Sequence, residues 1–78
     1  MQTKFKRHQL VRLLADPDPE YIEYRAAYDD EKPRIKKGMN GKINVILSNG
    51  QYHVEVLDSG GEVIAYVPMS EEFLESAE

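Results

Sequence analysis

The sequence predicts a small, mainly β domain built on an antiparallel meander. Three observations predict it. Ile43, Val45 and Leu47 recur at every second position, as do Tyr52, Val54 and Val56, which is the period of a half-buried strand. Asn49-Gly50 stands between the two runs, and both central residues of a type I′ hairpin turn need φ > 0, which Asn and Gly tolerate. Past Asp58-Ser59-Gly60-Gly61 the alternation resumes in Val63, Ala65 and Val67. A two-residue turn pairs Leu47 with Tyr52, Val45 with Val54 and Ile43 with Val56. The next turn pairs Val56 with Val63 and Val54 with Ala65. All these pairs fall on one face, and a one-residue slip would turn that face to water, so the pattern specifies a register.

Residues 1–7 are polar and basic and are expected to fray. Leu10-Val11-Arg12-Leu13-Leu14 reads as a first strand with Val11 and Leu13 inward. Asp16-Pro17-Asp18-Pro19 ends it, because proline lacks a ladder donor and holds its predecessor extended. Residues 16–33 form an acidic insert. Asp18 as N-cap and Pro19 at the first helical position favour a short helix, with Tyr21, Tyr24 and Tyr28 along one side; the alternative is a long loop. Gly38 and Gly41 are expected in turn conformations that a Cβ would disfavour. The meander then fills 41–67, and Pro68 is expected to break its last strand. Ser70 suits an N-cap, and Glu71 and Glu72 suit the positive end of a helix. A single helical turn should follow, packing Phe73 and Leu74, with residues 76–78 frayed. The expected core is Val11, Leu13, Ile43, Val45, Leu47, Tyr52, Val54, Val56, Val63, Ala65, Val67 and Leu74.

Seventy-eight residues make one domain spanning 1–78. A chain this short buries only ~60% of the surface its unfolded form exposes, so its stability is modest. It has no cysteine, hence no disulfide and no thiolate metal site. The first residues are polar and basic with no apolar stretch behind them, unlike a signal peptide. No segment approaches ~20 apolar residues, so no membrane span is expected. These features together point to a cytoplasmic protein. The net charge of −4 hides an asymmetry: all ten Lys and Arg lie between Lys4 and Lys42, whereas residues 43–78 carry seven acids and no base. Such a split makes either opposite poles or a surface on which the two halves interleave.

Residues 35–46, Ile35-Lys36-Lys37-Gly38-Met39-Asn40-Gly41-Lys42-Ile43-Asn44-Val45-Ile46, resemble the KOW-type signature. That signature is a basic residue and a glycine, two variable residues, a second glycine and an alternating strand. Lys37, Gly38, Gly41 and Ile43 carry the match. Similar segments occur in SH3-like barrels of ribosomal proteins and transcription elongation factors. The longer order also resembles a family of small uncharacterised bacterial proteins with that barrel. It runs from Leu10-Val11-x-Leu13-Leu14 through the insert to Gly50-x-Tyr52-x-Val54-Glu55-Val56 and Glu72-x-Leu74, covering residues 8–75. The resemblance implies a small SH3-like barrel of about five antiparallel strands with an inserted acidic loop or short helix and a C-terminal helical turn. The fifth strand would be a short piece after Pro68 or part of the insert. The chain departs from the pattern in being acidic, where many nucleic-acid-binding members are basic. Its insert is longer than in the simplest members. It also lacks tryptophan, which peptide-binding SH3 domains place in their groove.

Candidate sites follow from these patterns. Only His8 and His53 could serve as imidazoles, no serine sits in a nucleophile setting, and the acid pairs lie in turns where they solvate and cap. No catalytic residue, metal site or cofactor is expected, and the chain is not read as an enzyme. With the register above, Ile46, His53, Ile64 and Tyr66, joined by Leu57, share the outer face of the sheet and make a contiguous apolar patch. That patch suits a protein partner or a second copy of the chain. A second candidate is the basic turn, Arg34, Lys36, Lys37 and Lys42, whose cations and glycine-flanked amides suit RNA phosphates. No aromatic side chain interleaves them to stack on bases. Tyr21, Tyr24 and Tyr28 either line a groove for an extended peptide or pack the insert onto the barrel. A non-catalytic interaction module is therefore expected, with a KOW-type RNA-binding domain as the alternative; no membrane and no small-molecule substrate is indicated.

Overall fold

The structure, a computed structural model, describes residues 4–78. Six strands form among them: β1 (Leu10–Leu13), β2 (Glu23–Tyr24), β3 (Asn40–Ile46), β4 (Gln51–Leu57), β5 (Val63–Ser70) and β6 (Leu74–Ser76). They make one antiparallel sheet in the order β2-β5-β4-β3-β1-β6, with β2 and β6 at open edges. The expectation of about five strands is thus corrected to six. Both places named for an extra strand, the insert and the stretch after Pro68, supply one. The insert is not a helix. It consists of two 3-10 turns, Pro19–Tyr21 and Ala26–Tyr28, on either side of β2. Asp18 does cap the first of them, its Oδ1 accepting the Glu20 N–H at 3.0 Å. Tyr24 and Tyr28 pack against the core, and the Tyr24 hydroxyl donates to the Pro33 carbonyl at 2.7 Å, which folds the insert back on itself.

The meander forms, but in a register displaced by two residues. Ile43 pairs with Val54, and Val54 in turn with Val67. Because side chains alternate with a period of two, an even displacement leaves the faces unchanged. Ile43, Tyr52, Val54, Val56, Ala65 and Val67 are therefore buried together. In the first hairpin the turn contributes one residue of this displacement and an extra residue in β3 contributes the other. Asn49 and Gly50 both have positive φ, at 64° and 72°, but the Leu47 N–H donates to the Gln51 carbonyl and closes a three-residue loop instead of a two-residue one.

Two bulges correct the expected core. One extra residue, Asn44, enters β3 between Ile43 and Val45, so Val45 turns to the outer face opposite His53 and is 43% exposed. Leu47, beyond the end of the strand, is exposed as well, so neither belongs to the core. The other extra residue, Ile64, enters β5 and is buried at 3% exposure, whereas Val63 is only half-buried. Phe5, Ile35 and Met69 complete the core together with Val11, Leu13 and Leu74.

The termini are docked where fraying was expected. Phe5 is 1% exposed and meets Tyr52 edge-on at 5.5 Å between ring centroids. The His8 N–H donates to the Ile43 carbonyl at 2.7 Å. The expectation for residues 1–3 lies outside the described residues. At the other end Glu71–Phe73 is a 3-10 turn, after which β6 pairs with β1 and the Ala77 N–H donates to the Leu10 carbonyl at 2.9 Å. Arg12 and Glu75, directly opposite in that pairing, form a 2.9 Å ion pair. Both are about half exposed, so this pair contributes only ~0.2–1 kcal/mol.

Gly38 has φ of 91° and needs its glycine for that reason. Gly41 does not sit in a turn. It is buried within β3, and a Cβ there would lie 2.6 Å from Val54 Cγ1 and 3.1 Å from the Glu55 carbonyl oxygen. The glycine lets neighbouring strands pack closely at the centre of the sheet. Gly41→Ala is expected to destabilise the fold by about 1–3 kcal/mol through overpacking. In a urea melt this cost should shrink when Val54 is also replaced by alanine, because the clashing methyl is gone; equal cost in both backgrounds would place the strain elsewhere.

Candidate binding cleft

The cleft originates in the main chain of β5. The Glu71 N–H donates to the Gly50 carbonyl at 2.9 Å, just beyond the pair Gln51–Ser70. In an antiparallel ladder, bonded and non-bonded pairs alternate. The groups of Met69, Val67 and Ala65 therefore point to β4, and those of Ser70, Pro68, Tyr66 and Ile64 point away from it. Along that outer edge β2 pairs Glu23 with Tyr66, and the Arg25 N–H donates to the Ile64 carbonyl at 3.1 Å. The next position along the same register opposes Tyr21 to Pro68. Proline has no N–H to give, so the ladder stops there. The chain instead turns at Pro19–Tyr21, where the Tyr21 N–H donates to the Asp18 carbonyl. Pro68 does not break β5, as the sequence suggested; it ends β2 and leaves the last part of β5 unaccompanied.

The resulting space is a cleft of about 490 Å³ between the Ala15–Tyr21 segment, the end of β5 and the 3-10 turn at Glu71–Phe73. Pro17, Tyr21, Pro68, Met69 and Phe73 give it apolar walls, and Asp16, Asp18, Gln51 and Ser70 supply polar groups. Tyr21 is 62% exposed and Phe73 43% exposed, large values for aromatic side chains. The Leu14 N–H donates to the Phe73 carbonyl at 2.8 Å, which ties the two walls together. Asp16 Oδ1 accepts the Lys37 N–H at 2.7 Å, and Asp18 Oδ1 accepts the Glu20 N–H. The second oxygen of each carboxylate has no hydrogen bond or ion pair among the described residues. The cleft is thus apolar at its walls and anionic at its rim.

A smaller hollow adjoins it at Ser70, lined also by Lys4, Asn49, Gly50, Glu71 and Glu72. Here the Tyr52 hydroxyl, at the edge of the core, donates to Glu71 Oε2 at 2.5 Å and accepts the Phe5 N–H at 3.2 Å. Glu71 Oε2 also accepts the Lys4 N–H at 3.1 Å. The Tyr52 hydroxyl and the Lys4 amide hold the Glu71 carboxyl below its ordinary value. Burial, followed by the bond to Glu71, pushes Tyr52 above its own. This node fixes the N-terminal segment against the 3-10 turn that forms one wall of the cleft.

The sequence-derived sites fare differently. Ile64 is a core residue, and Ile46 is half-buried and packs against the core, so the proposed patch of Ile46, His53, Ile64 and Tyr66 is not a contiguous exposed surface. The bulges at Asn44 and Ile64 are the reason. His53 and Tyr66 do meet on the outer face, stacked at 5.4 Å with their planes 9° apart. Asn44 Nδ2 lies 2.9 Å from His53 Nδ1; with the amide as donor, the ring carries its proton on Nε2. Arg34, Lys36 and Lys37 are exposed. Lys42 stands apart from them on the sheet, between Leu10 and Glu55. Among the described residues no cluster of three or more His, Asp or Glu side chains is placed to hold a metal, and no helix is long and apolar enough to cross a membrane.

Comparison with known protein families, curated proteins and solved structures found no match to this chain. The cleft itself escaped the sequence reading. The acidic Asp16-Pro17-Asp18-Pro19 turn, Tyr21 and Pro68 were each noted in the sequence, but nothing local shows that residues 16–21 and 68–73 meet.

The Tyr52–Glu71 contact has a definite pH sign. Glu71 is depressed, so its contribution is complete above the ordinary carboxylate range and is lost as pH falls through the lowered one. Tyr52 is raised, so its contribution holds below the ordinary phenol range and is lost as pH rises through the elevated one. Tyr52→Phe is expected to cost about 1 kcal/mol or more at neutral pH through loss of a buried hydroxyl's hydrogen bonds. Urea melts should show the gap to the wild type narrowing toward pH 3; a gap that stays constant would detach Glu71 from this node.

Proposed function

We propose that this chain is a non-catalytic protein-interaction module that takes an extended, cationic segment of a partner protein into the cleft beside β5. The observation that carries the reading is the pairing of two exposed aromatic walls, Tyr21 and Phe73, with two carboxylates, Asp16 and Asp18, that keep unused acceptor oxygens. Apolar walls give contact area, and an anionic rim selects for positive charge and repels nucleic acid. The surface moves from the outer-face patch suggested by the sequence to this edge. The finer fold reading, an SH3-like barrel, is supported by the strand order β6-β1-β3-β4-β5, with a long insert after the first strand and a 3-10 turn before the last.

The test uses an equimolar pool of capped octapeptides with arginine fixed at both ends and apolar residues randomised between. Titrated into labelled protein at low salt, it should shift the signals of Tyr21, Gln51 and Phe73. Tyr21→Ala and Phe73→Ala should each weaken binding about tenfold. Asp16→Asn and Asp18→Asn keep the local hydrogen bonds and should flatten the salt dependence. No shift at these residues, or shifts confined to the outer face, would overturn the reading. Sedimentation in the same buffer distinguishes a foreign partner from a second copy.

A second reading is a KOW-type RNA-binding surface. It is favoured by the exposure of Arg34, Lys36 and Lys37 without an ion-pair partner among the described residues. Single-stranded RNA held by three such cations should lose affinity with a log–log salt slope of about −2. A slope near zero, or one unchanged in the triple alanine variant, would remove it.

A further inference from the structure

Resting on the cleft reading, we infer that the partner segment binds as an added strand running parallel to β5, clamped through the Pro68 carbonyl and the Ser70 N–H. The alternation along β5 aims both groups at the open edge, and both residues line the cleft. β2 stops one register step short of them. The Ser70 N–H has no partner among the described residues, and its side chain makes no capping bond to the following turn. Its own carbonyl starts that turn and is already engaged, as an N-cap carbonyl is. The edge therefore offers one acceptor at 68 and one donor at 70.

The direction follows from what each arrangement leaves unpaired. In a parallel pair, one residue donates to the carbonyl of residue i−1 and accepts from the N–H of residue i+1 on its neighbour. A partner residue beside Met69 would thus satisfy both its main-chain groups at once, on Pro68 and Ser70. An antiparallel partner would face Ser70 and Pro68 with two different residues. One of them would then oppose a carbonyl already bonded, and the other would oppose a proline nitrogen with no hydrogen. The second would leave its carbonyl without a donor inside the cleft, and the first would have to share an oxygen already in use, a costly outcome. The carboxylates of Asp16 and Asp18, in the same cleft, make an arginine- or lysine-bearing segment the matching occupant.

The backbone itself supplies a clean test. Ser70 has φ of −72° and ψ of 149°, values that proline adopts, so Ser70→Pro removes the donor without forcing the chain. Against the arginine-flanked octapeptide pool, Ser70→Pro should bind about tenfold more weakly, and Ser70→Ala, which keeps the N–H, should bind like the wild type. In the complex the wild-type Ser70 amide should become protected from exchange. An ester scan of the best peptide should find one position where replacing the N–H by oxygen lowers affinity by a similar factor. If Tyr21→Ala and Asp16→Asn weaken binding but Ser70→Pro and the ester scan do not, the strand geometry is wrong and the cleft stands. If the pool produces no shift at the cleft residues, both fall. Should Ser70→Pro fail to fold, the ester scan and the Ser70 exchange rate decide alone.

Discussion

The constraint on which this structure depends is the period of two along the meander. Once Ile43, Tyr52, Val54, Val56, Ala65 and Val67 are buried on one face, everything else about the three long strands is fixed modulo two residues. The outer face is determined, and so is the direction in which every amide and carbonyl points. Burial thereby decides a main-chain property: which groups of β5 bond to β4 and which look outward. The side chains of Met69 and Val67 go into the core, and the main-chain groups of Pro68 and Ser70 go to the edge.

An outward-facing edge invites pairing, and the fold answers this in two ways. β2 covers the first part, and Pro68 withholds the donor that would let it continue. One missing hydrogen atom thus separates a covered edge from an open cleft. Hydrogen bonds tie the surrounding turns together. Glu71, bonded to Tyr52 and to the Lys4 amide, ties the N-terminal segment to the wall that carries Phe73. The Leu14–Phe73 bond joins that wall to the opposite one. The proposed cleft and the Tyr52–Glu71 node therefore share residues at this end of the sheet; at the far end Asp58 Oδ1 accepts the N–H groups of Gly60 and Glu62, both at 2.9 Å.

Much of the fold was legible in the sequence, and the misses have physical causes. The inward face of β4 and the burial of Ala65 and Val67 came through because alternation tolerates an even register error. Val45 and Ile64 were misplaced because a bulge inverts alternation locally and leaves no composition signal at Asn44 or Ile64. Phe5 and Ile35 were missed because each is a lone apolar residue among basic ones, where no periodicity exists to measure. β2 and β6 are too short for pattern; each is defined by its partner strand. The outer-face patch failed for the same reason as Val45, since it inherited the unbulged register. The cleft was illegible altogether. It is made by the long-range meeting of residues 16–21 with 68–73, and its key feature is the absence of a hydrogen from one of them.

Residue-resolved amide hydrogen exchange on the free protein tests the orientation of β5 most directly. If the main chain alternates as described, the Val67 and Met69 amides exchange slowly, bonded to β4, and the Ser70 amide exchanges near the rate of an unprotected chain. A protected Ser70 amide beside a rapidly exchanging Met69 would reverse the orientation, and the open edge and its cleft would not exist in this form.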